Sequence, residues 1–334
     1  MAGRWVRMAG LPSSGGIPPS ADRAQPAYGA HLLAYAGIPS FMRRPATREL
    51  AGADVAIVGV PYDGGATSYR SGARLGPRQI RAASTLLWGY NAALGVAPLE
   101  VLRLIDYGDV AVQPGDTAQT MGAIAQESGV LLAAGLSVVA LGGDHSITLP
   151  LLRAHAARYG PLAVLHLDAH ADTWAGPPDH STTFRHAIEE GLIAPASYVL
   201  VGMRGPLWAA EDAIAPRELG ALVWGADECL TLGIPAVVAS LREHLAGRPL
   251  YVSLDLDAAD PAYAPGVGTP EIGGLTSHQL LQLVRGLRGL RLIGADVVEL
   301  CPPYDHGDIT AVLAANLVFE LLSLLALQLK GQQP

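Results

Sequence analysis

Leu162-Ala163-Val164-Leu165-His166-Leu167-Asp168-Ala169-His170-Ala171-Asp172 decides how this chain is read. An apolar run of strand length leads into three side chains at alternate positions, each able to bind a metal ion. Side chains two apart on a strand share a face. A strand carried to its end therefore brings Asp168, His170 and Asp172 to one point beyond the carboxyl edge of a sheet, where open α/β sheets take their ligands. Leu250-Tyr251-Val252-Ser253-Leu254 repeats the arrangement and leads into Asp255 and Asp257, while Leu141-Gly142-Gly143-Asp144-His145-Ser146 closes a third apolar run and offers His145. Taken singly, an acid or histidine after a strand is ordinary loop chemistry, such as a cap or a solvated turn. Together, four carboxylates and two imidazoles crowd three strand ends in a chain that is only 16% charged. Such a cluster stays ionised only beside a cation. It also exceeds the needs of one divalent ion and points to two metals sharing carboxylates, the arrangement that activates water in hydrolases.

The rest of the chain sets the frame. Its 334 residues suit one large domain or two ordinary ones, and 50% hydrophobic content with 39 glycines and 25 prolines fits an alanine-rich globular enzyme. Net charge is -8 and Lys330 is the only lysine, which excludes a basic patch for nucleic acid. Apolar runs are strand-length or interrupted, so no membrane span is expected. Cys229 and Cys301 suggest two reduced, buried thiols rather than a disulfide framework. Arg4 and Arg7 lack a long apolar run behind them, so no signal peptide is expected and a cytoplasmic location is inferred.

Residues 1–37 are rich in glycine, proline and serine and read as a flexible N-terminal arm, and 38–330 as a single catalytic domain. Strands are predicted at 55–60, 101–105, 137–141, 163–167, 198–202, 221–224, 250–256 and 292–298. Helices are predicted between most of them, for example at 117–134, 150–159, 234–245 and 277–286. This alternation argues for parallel strands with crossover helices. It suits a closed eight-stranded barrel as well as an open sheet.

Gly142-Gly143-Asp144-His145-Ser146, Asp168-Ala169-His170-Ala171-Asp172 and Ser253-Leu254-Asp255-Leu256-Asp257 resemble, in order and kind, the three metal motifs of the ureohydrolases. This is the arginase and agmatinase family, and the chain is closer to the agmatinase branch. The likeness runs from about Gly59 to about Leu325, through Gly59-Val60-Pro61-Tyr62-Asp63, Gly268-Thr269-Pro270-Glu271 and Val297-Val298-Glu299-Leu300. The resemblance implies a three-layer αβα sandwich around an eight-stranded, mostly parallel sheet. It also implies two divalent metal ions, with Asp168 and Asp255 bridging, His145 and Asp172 completing one site, and His170 and Asp257 the other. Oxygen-rich ligation with two histidines suits manganese better than zinc, with nickel open. Glu299 would hold the substrate guanidinium, Asp172 would double as the acid near the leaving amine, His180 would shuttle protons and Thr269 would line the pocket. Asp144 and Ser146 would support His145, and Asp296 is read as a core residue outside the site. A deacetylase of related fold would need fewer carboxylates.

The departures from the family pattern bear on the substrate. Ser181 follows His180 where glycine is usual, and the loop from Asp172 to His180 is short and proline-bearing. Trp174 stands where arginases place a polar group that reads the amino-acid end of arginine. An indole packs against an alkyl chain or a cation and cannot replace that contact. Agmatine, cleaved to putrescine and urea, is the leading expectation. The alternatives are 4-guanidinobutyrate, 3-guanidinopropionate, free guanidine or an alkylguanidine, and, of another class, a catalytically silent subunit supporting an active partner. A guanidino acid would call for a cation, for which Arg70, Arg74, Arg185 and Arg204 are candidates. A homo-oligomer, trimer or hexamer, is the family expectation, supported weakly by the apolar stretch 316–327.

Overall fold

The structure is a computed structural model that describes residues 34–64 and 68–332. Of the expected N-terminal arm only residues 34–37 fall inside it. Eight strands form one sheet: β1 (Val55–Val60), β2 (Leu104–Asp109), β3 (Ser137–Gly142), β4 (Leu162–Leu167), β5 (Ile193–Met203), β6 (Leu222–Gly225), β7 (Leu250–Asp255) and β8 (Leu292–Val298). Their order is β2-β1-β3-β8-β7-β4-β5-β6. Every pairing is parallel, so the sheet expected to be mostly parallel is wholly so. With β2 and β6 as edges it is open, and the barrel alternative falls away.

Apolar residues fill both faces of the strands, as a sheet covered by helices on each side requires. On one face Val55, Ile57, Val139, Leu141, Leu165 and Leu167 pack with the helices Gly76–Ser84, Ile234–Leu245, Ser277–Gly286 and Ile309–Gln332. On the other, Ala56, Val58, Val138, Ala140 and Val164 meet Thr117–Ala133, Thr148–Tyr159 and Thr183–Glu189. The result is a three-layer αβα sandwich.

Several boundaries moved for local reasons. The strand expected at 101–105 begins at Leu104, because Pro98 opens a helical turn, Pro98–Val101, that absorbs Val101. The strand expected at 198–202 spans Ile193–Met203. A register shift between Leu162 and Val164, with Ala196 at φ 55°, carries its irregular first half. The strand expected to run to 256 stops at Asp255, whose own Oδ1 accepts the Asp257 N–H and turns the chain into the 3-10 turn Leu256–Ala258. The helix expected from 150 starts at Thr148, with Pro150 tolerated in its first turn.

The C-terminal helix Ile309–Gln332 is long and apolar enough to cross a membrane, yet 83% of its most apolar window is buried inside the fold. Leu317, Leu321, Leu322 and Leu325 all face the core. Its buried Glu320 is satisfied by Arg285 (2.5 Å) and Asn91 (3.0 Å). The apolar surface of this stretch is spent within its own chain and lends no support to the subunit contact considered above.

Chain order places the site. β3 leads to β4, but the last two strands, β7 and β8, enter the sheet between them. The four strands β3, β8, β7 and β4 are thus adjacent, and each of their carboxyl ends delivers a polar residue to one place.

Candidate metal centre and substrate cleft

Beyond β3 the backbone of Gly143 is pressed against that of Tyr62, where an added Cβ would lie 2.3 Å from the Tyr62 carbonyl oxygen. Only glycine fits there. Asp144 then caps the short turn His145–Ile147 by accepting the Ser146 N–H (3.1 Å) and hydroxyl, and this turn aims His145 across the sheet edge. His145 is fully buried. Its Nδ1 lies 3.1 Å from Asp168 Oδ2, 3.0 Å from Asp172 Oδ2 and 3.4 Å from Asp255 Oδ2. Despite these three neighbours, Nδ1 has, among the described residues, no hydrogen-bond partner of acceptable geometry. A buried nitrogen facing three carboxylate oxygens without bonding any of them is the arrangement a cation completes.

A second group adjoins it. His170 Nδ1 is 3.4 Å from Asp168 Oδ1 and 3.0 Å from Asp257 Oδ2. Asp168 therefore presents one oxygen to each group. Asp255 presents Oδ2 to the first and commits Oδ1 to the Asp257 N–H at 2.8 Å. Ligand atoms of His145, His166, Asp168 and Asp172, and likewise of Asp168, His170 and Asp257, lie within 4.8 Å of one another, close enough to hold a metal ion, and the two sets share Asp168.

The electrostatics tell the same story. Burial, with Asp257 and Asp168 alongside, pushes Asp255 well above the usual carboxylate range. Burial and Asp168 also raise Asp257. For His145, burial opposes charge, but Asp168, Asp172 and Asp255 outweigh it and hold the ring well above the ordinary imidazole range. Too much negative charge is gathered here for the protein's own groups to balance.

Two hydrogen-bonded supports lie behind the cluster. His145 Nε2 meets Ser253 Oγ at 2.8 Å, and Ser253 donates to Asp296 Oδ1 at 2.7 Å. Tyr251 and Thr148 also donate to Asp296 Oδ2, at 2.7 and 2.9 Å. Asp296, read from sequence as lying outside the site, is thus the anchor of a path to His145. On the other side His166, which sequence reading passed over, meets Asp168 Oδ2 at 2.7 Å and Tyr198 Oη at 2.9 Å. The alternation that singled out Asp168 and His170 extends back to His166, so that signal was present.

Asp172 and Glu299 occupy the left-handed region, at φ 48° and 65°, strain of a kind that concentrates at working residues. Glu299 follows β8, its N–H bonds the Gly143 carbonyl, and its Oε1 accepts the His145 N–H at 2.8 Å. Burial and nearby Asp144 raise Glu299 well above the carboxylate range. Both residues line a cleft of about 220 Å³ together with His170, Trp174, His180 and Thr269. Thr269 also donates to Asp257 Oδ2 at 3.3 Å.

The lip is pinned in place. Ser181 bonds Asp179 Oδ1 through both its N–H (2.8 Å) and its hydroxyl (2.7 Å), while Trp174 N–H bonds the Ser181 carbonyl (3.0 Å). The end of β5 and the segment after it supply another wall, with Met203, Pro206, Leu207, Trp208 and Asp212. Trp208 meets Trp174 edge to face, ring centres 6.1 Å apart. Nothing periodic marks that loop in the sequence.

The four candidate arginines are engaged elsewhere. Arg204 donates to the backbone carbonyls of Gly202, Asp257, Ala258, Ala259, Glu271 and Ile272. Arg185 holds the Thr173 carbonyl, Arg70 the Pro265 and Val267 carbonyls, and Arg74 pairs with Asp63. Among the described residues no lysine or arginine lines the cleft.

An open parallel sheet with paired histidine and aspartate groups at its carboxyl edge, flanked by a buried glutamate, defines a hydrolase of the ureohydrolase class. The chain belongs to the arginase family, whose model matches residues 53–323. It is 46% identical to a guanidinopropionase of Pseudomonas aeruginosa over 92% of this chain and 98% of that one. It is 44% identical to a guanidinobutyrase of the same organism over 90% and 96%. The crystal structure of a hypothetical agmatinase from Burkholderia thailandensis superposes with a TM-score of 0.84 at 44% identity, covering 90% of this chain and 94% of the other.

Proposed function

We propose that the protein hydrolyses a guanidino compound with a cationic or uncharged tail, agmatine first among them, to urea and an amine. The observation that carries the tail assignment is the lining of the cleft. It holds two tryptophans and Asp212 and, among the described residues, no lysine or arginine. A carboxylate tail would be desolvated there without a lysine or arginine to pair with, whereas an ammonium finds two tryptophans and an acid.

In this reading His145, Asp168, Asp172 and Asp255 would hold one divalent ion, and Asp168, His170 and Asp257 the other. The oxygen-rich set suits manganese, with nickel next. Two such ions would supply the Lewis acidity that lowers the pKa of water into the neutral range. The chain's own residues do the rest. Glu299, held by the His145 N–H, would set its carboxylate against a guanidinium and fix the planar fork by paired hydrogen bonds. Asp172 stands where it can pass a proton to the departing amine nitrogen, and His180 at the mouth exchanges that proton with solvent. All of these positions are filled, which gives no support to a catalytically silent role.

A second reading, hydrolysis of a guanidino acid, draws on the names of the relatives at 46% and 44% identity. Urea release from manganese-loaded and nickel-loaded protein decides between them, with agmatine, arginine, 3-guanidinopropionate, 4-guanidinobutyrate and guanidine assayed in parallel. Highest kcat/KM for agmatine supports the first reading. Faster turnover of either acid overturns the tail assignment and leaves the reaction class intact.

A further inference from the structure

His166 lies beside the metal groups and could be counted among their ligands, but its hydrogen bonds give it another task. Its ring is enclosed, stacked on Phe184 at 3.8 Å between centres and on Tyr198 at 6.1 Å, and fully buried. Among the described residues, the one hydrogen bond of the Tyr198 hydroxyl is to His166 Nδ1. The opposite ring nitrogen faces Asp168 Oδ2 at 2.7 Å. Buried polar groups are satisfied almost without exception. Only one proton assignment satisfies all three. If Nδ1 carried a proton, the phenol proton would have no acceptor; if Nε2 lacked one, a lone pair would face a carboxylate oxygen. The phenol therefore donates to Nδ1, and Nε2–H donates to Asp168.

We infer that His166, set in one tautomer by Tyr198, is the positioning residue that holds Asp168 across the two metal groups, and that it is not itself a metal ligand. Asp168 is the carboxylate with one oxygen in each group, and a carboxylate held at one oxygen alone can turn about its last bond. Here both oxygens are held. The His170 backbone N–H fixes Oδ1 at 2.5 Å and the His166 ring fixes Oδ2. The backbone bond comes with the turn; the ring bond depends on two side chains that nothing else in the site requires. The ring also directs Oδ2 toward His145 and Oδ1 toward His170.

The inference rests on the two-metal reading, and manganese titration of the full, metal-stripped chain separates the two. His166→Phe keeps the stack and removes the donor; Tyr198→Phe keeps the ring and removes the phenol. Calorimetry gives number and affinity, and electron paramagnetic resonance reports whether two manganese ions are spin-coupled. The expected result is two ions at saturation in every variant. In His166→Phe affinity falls roughly 10–100-fold, the usual cost of losing an outer partner of a ligand, and the coupled signal appears only at correspondingly higher manganese. Tyr198→Phe shifts the same way by less. Unchanged affinity in both variants overturns the positioning role. Loss of one ion at saturation in His166→Phe overturns it differently, by making His166 a ligand. If His166→Phe does not fold, Tyr198→Phe alone decides: weaker binding of two ions supports the relay and unchanged binding overturns it. Fewer than two ions in the unmodified protein would remove the two-metal reading itself, and the inference with it.

Discussion

His145 Nδ1 lies 3.1 Å from Asp168 Oδ2, although the strands they follow, β3 and β4, are separated in the sheet by β8 and β7. Three strand spacings amount to ~14 Å, so both residues reach the site by leaving their strands and leaning over the ends of the two between. A cation held there ties three separate segments of chain, those bearing His145, Asp168 and Asp255. Metal binding should therefore stabilise the fold, by about 2.7 kcal/mol at one hundred times the dissociation constant. Thermal melts with and without manganese test this. Asp255→Ala should bind less metal and show a smaller manganese-induced shift, while melting higher than the unmodified protein when both are metal-free, because a crowded buried carboxylate is gone. A full shift in the variant would remove Asp255 from the ligand set.

Glu299→Gln preserves shape and a hydrogen-bond acceptor for the His145 N–H but surrenders the charge. Two manganese ions should still bind, while kcat/KM falls roughly 10- to 100-fold, the scale of one charge-assisted hydrogen bond. Near-normal kinetics with both ions bound would contradict a guanidinium contact.

Trp208 is 88% exposed at the cleft mouth and cannot be holding the core together. Trp208→Ala should leave stability unchanged and raise KM for agmatine about two- to fivefold, as loss of an exposed cation–π contact would. Asp212→Asn keeps the acceptor that caps Ala209 N–H, yet should raise KM for agmatine at low salt and less at high salt. An effect on guanidino acids but not on agmatine would assign these residues to the wrong tail.

His155 supplies a pH test remote from the metal groups. It is fully buried, bonded through Nδ1 to the Leu151 carbonyl at 2.8 Å, with Nε2 unpartnered among the described residues, and burial lowers it to about 4. The unfolded chain takes up the proton near 6.5 and the folded chain does not, so stability is complete above pH 6.5 and declines as pH falls toward 4. The loss reaches about 3 kcal/mol. Urea denaturation between pH 7 and 4 should show this slope in the unmodified protein and a shallower one in His155→Leu; equal slopes would clear His155 of the effect.

The residues of the proposed metal groups were legible in the sequence because the pattern that marks them is local. The alternate spacing of Asp168, His170 and Asp172 singled them out, and the same period reaches His166, although β4 ends at Leu167 and the turn beyond it, with Asp172 at φ 48°, sets their final placement. Its partner Tyr198 was not legible, since it comes from a different strand 32 residues away. Asp296 was set aside for a similar reason: an acid inside an apolar strand shows nothing of the three hydroxyls that converge on it from Ser253, Tyr251 and Thr148. Trp208 and Asp212 lie in a loop without period, and only the folding of that loop over the cleft sets them opposite Trp174.

By itself, the sequence determined eight strand segments, their parallel connection and the kind of candidate ligand at three strand ends, since backbone period and side-chain chemistry are properties of neighbouring residues. Tertiary structure alone decided that the sheet stays open, that β7 and β8 enter between β3 and β4, and that Arg70, Arg185 and Arg204 turn to backbone carbonyls and Arg74 to Asp63, which among the described residues leaves the cleft without lysine or arginine. Those outcomes depend on which helices cover which face and which distant carbonyls need donors, and no local pattern encodes either.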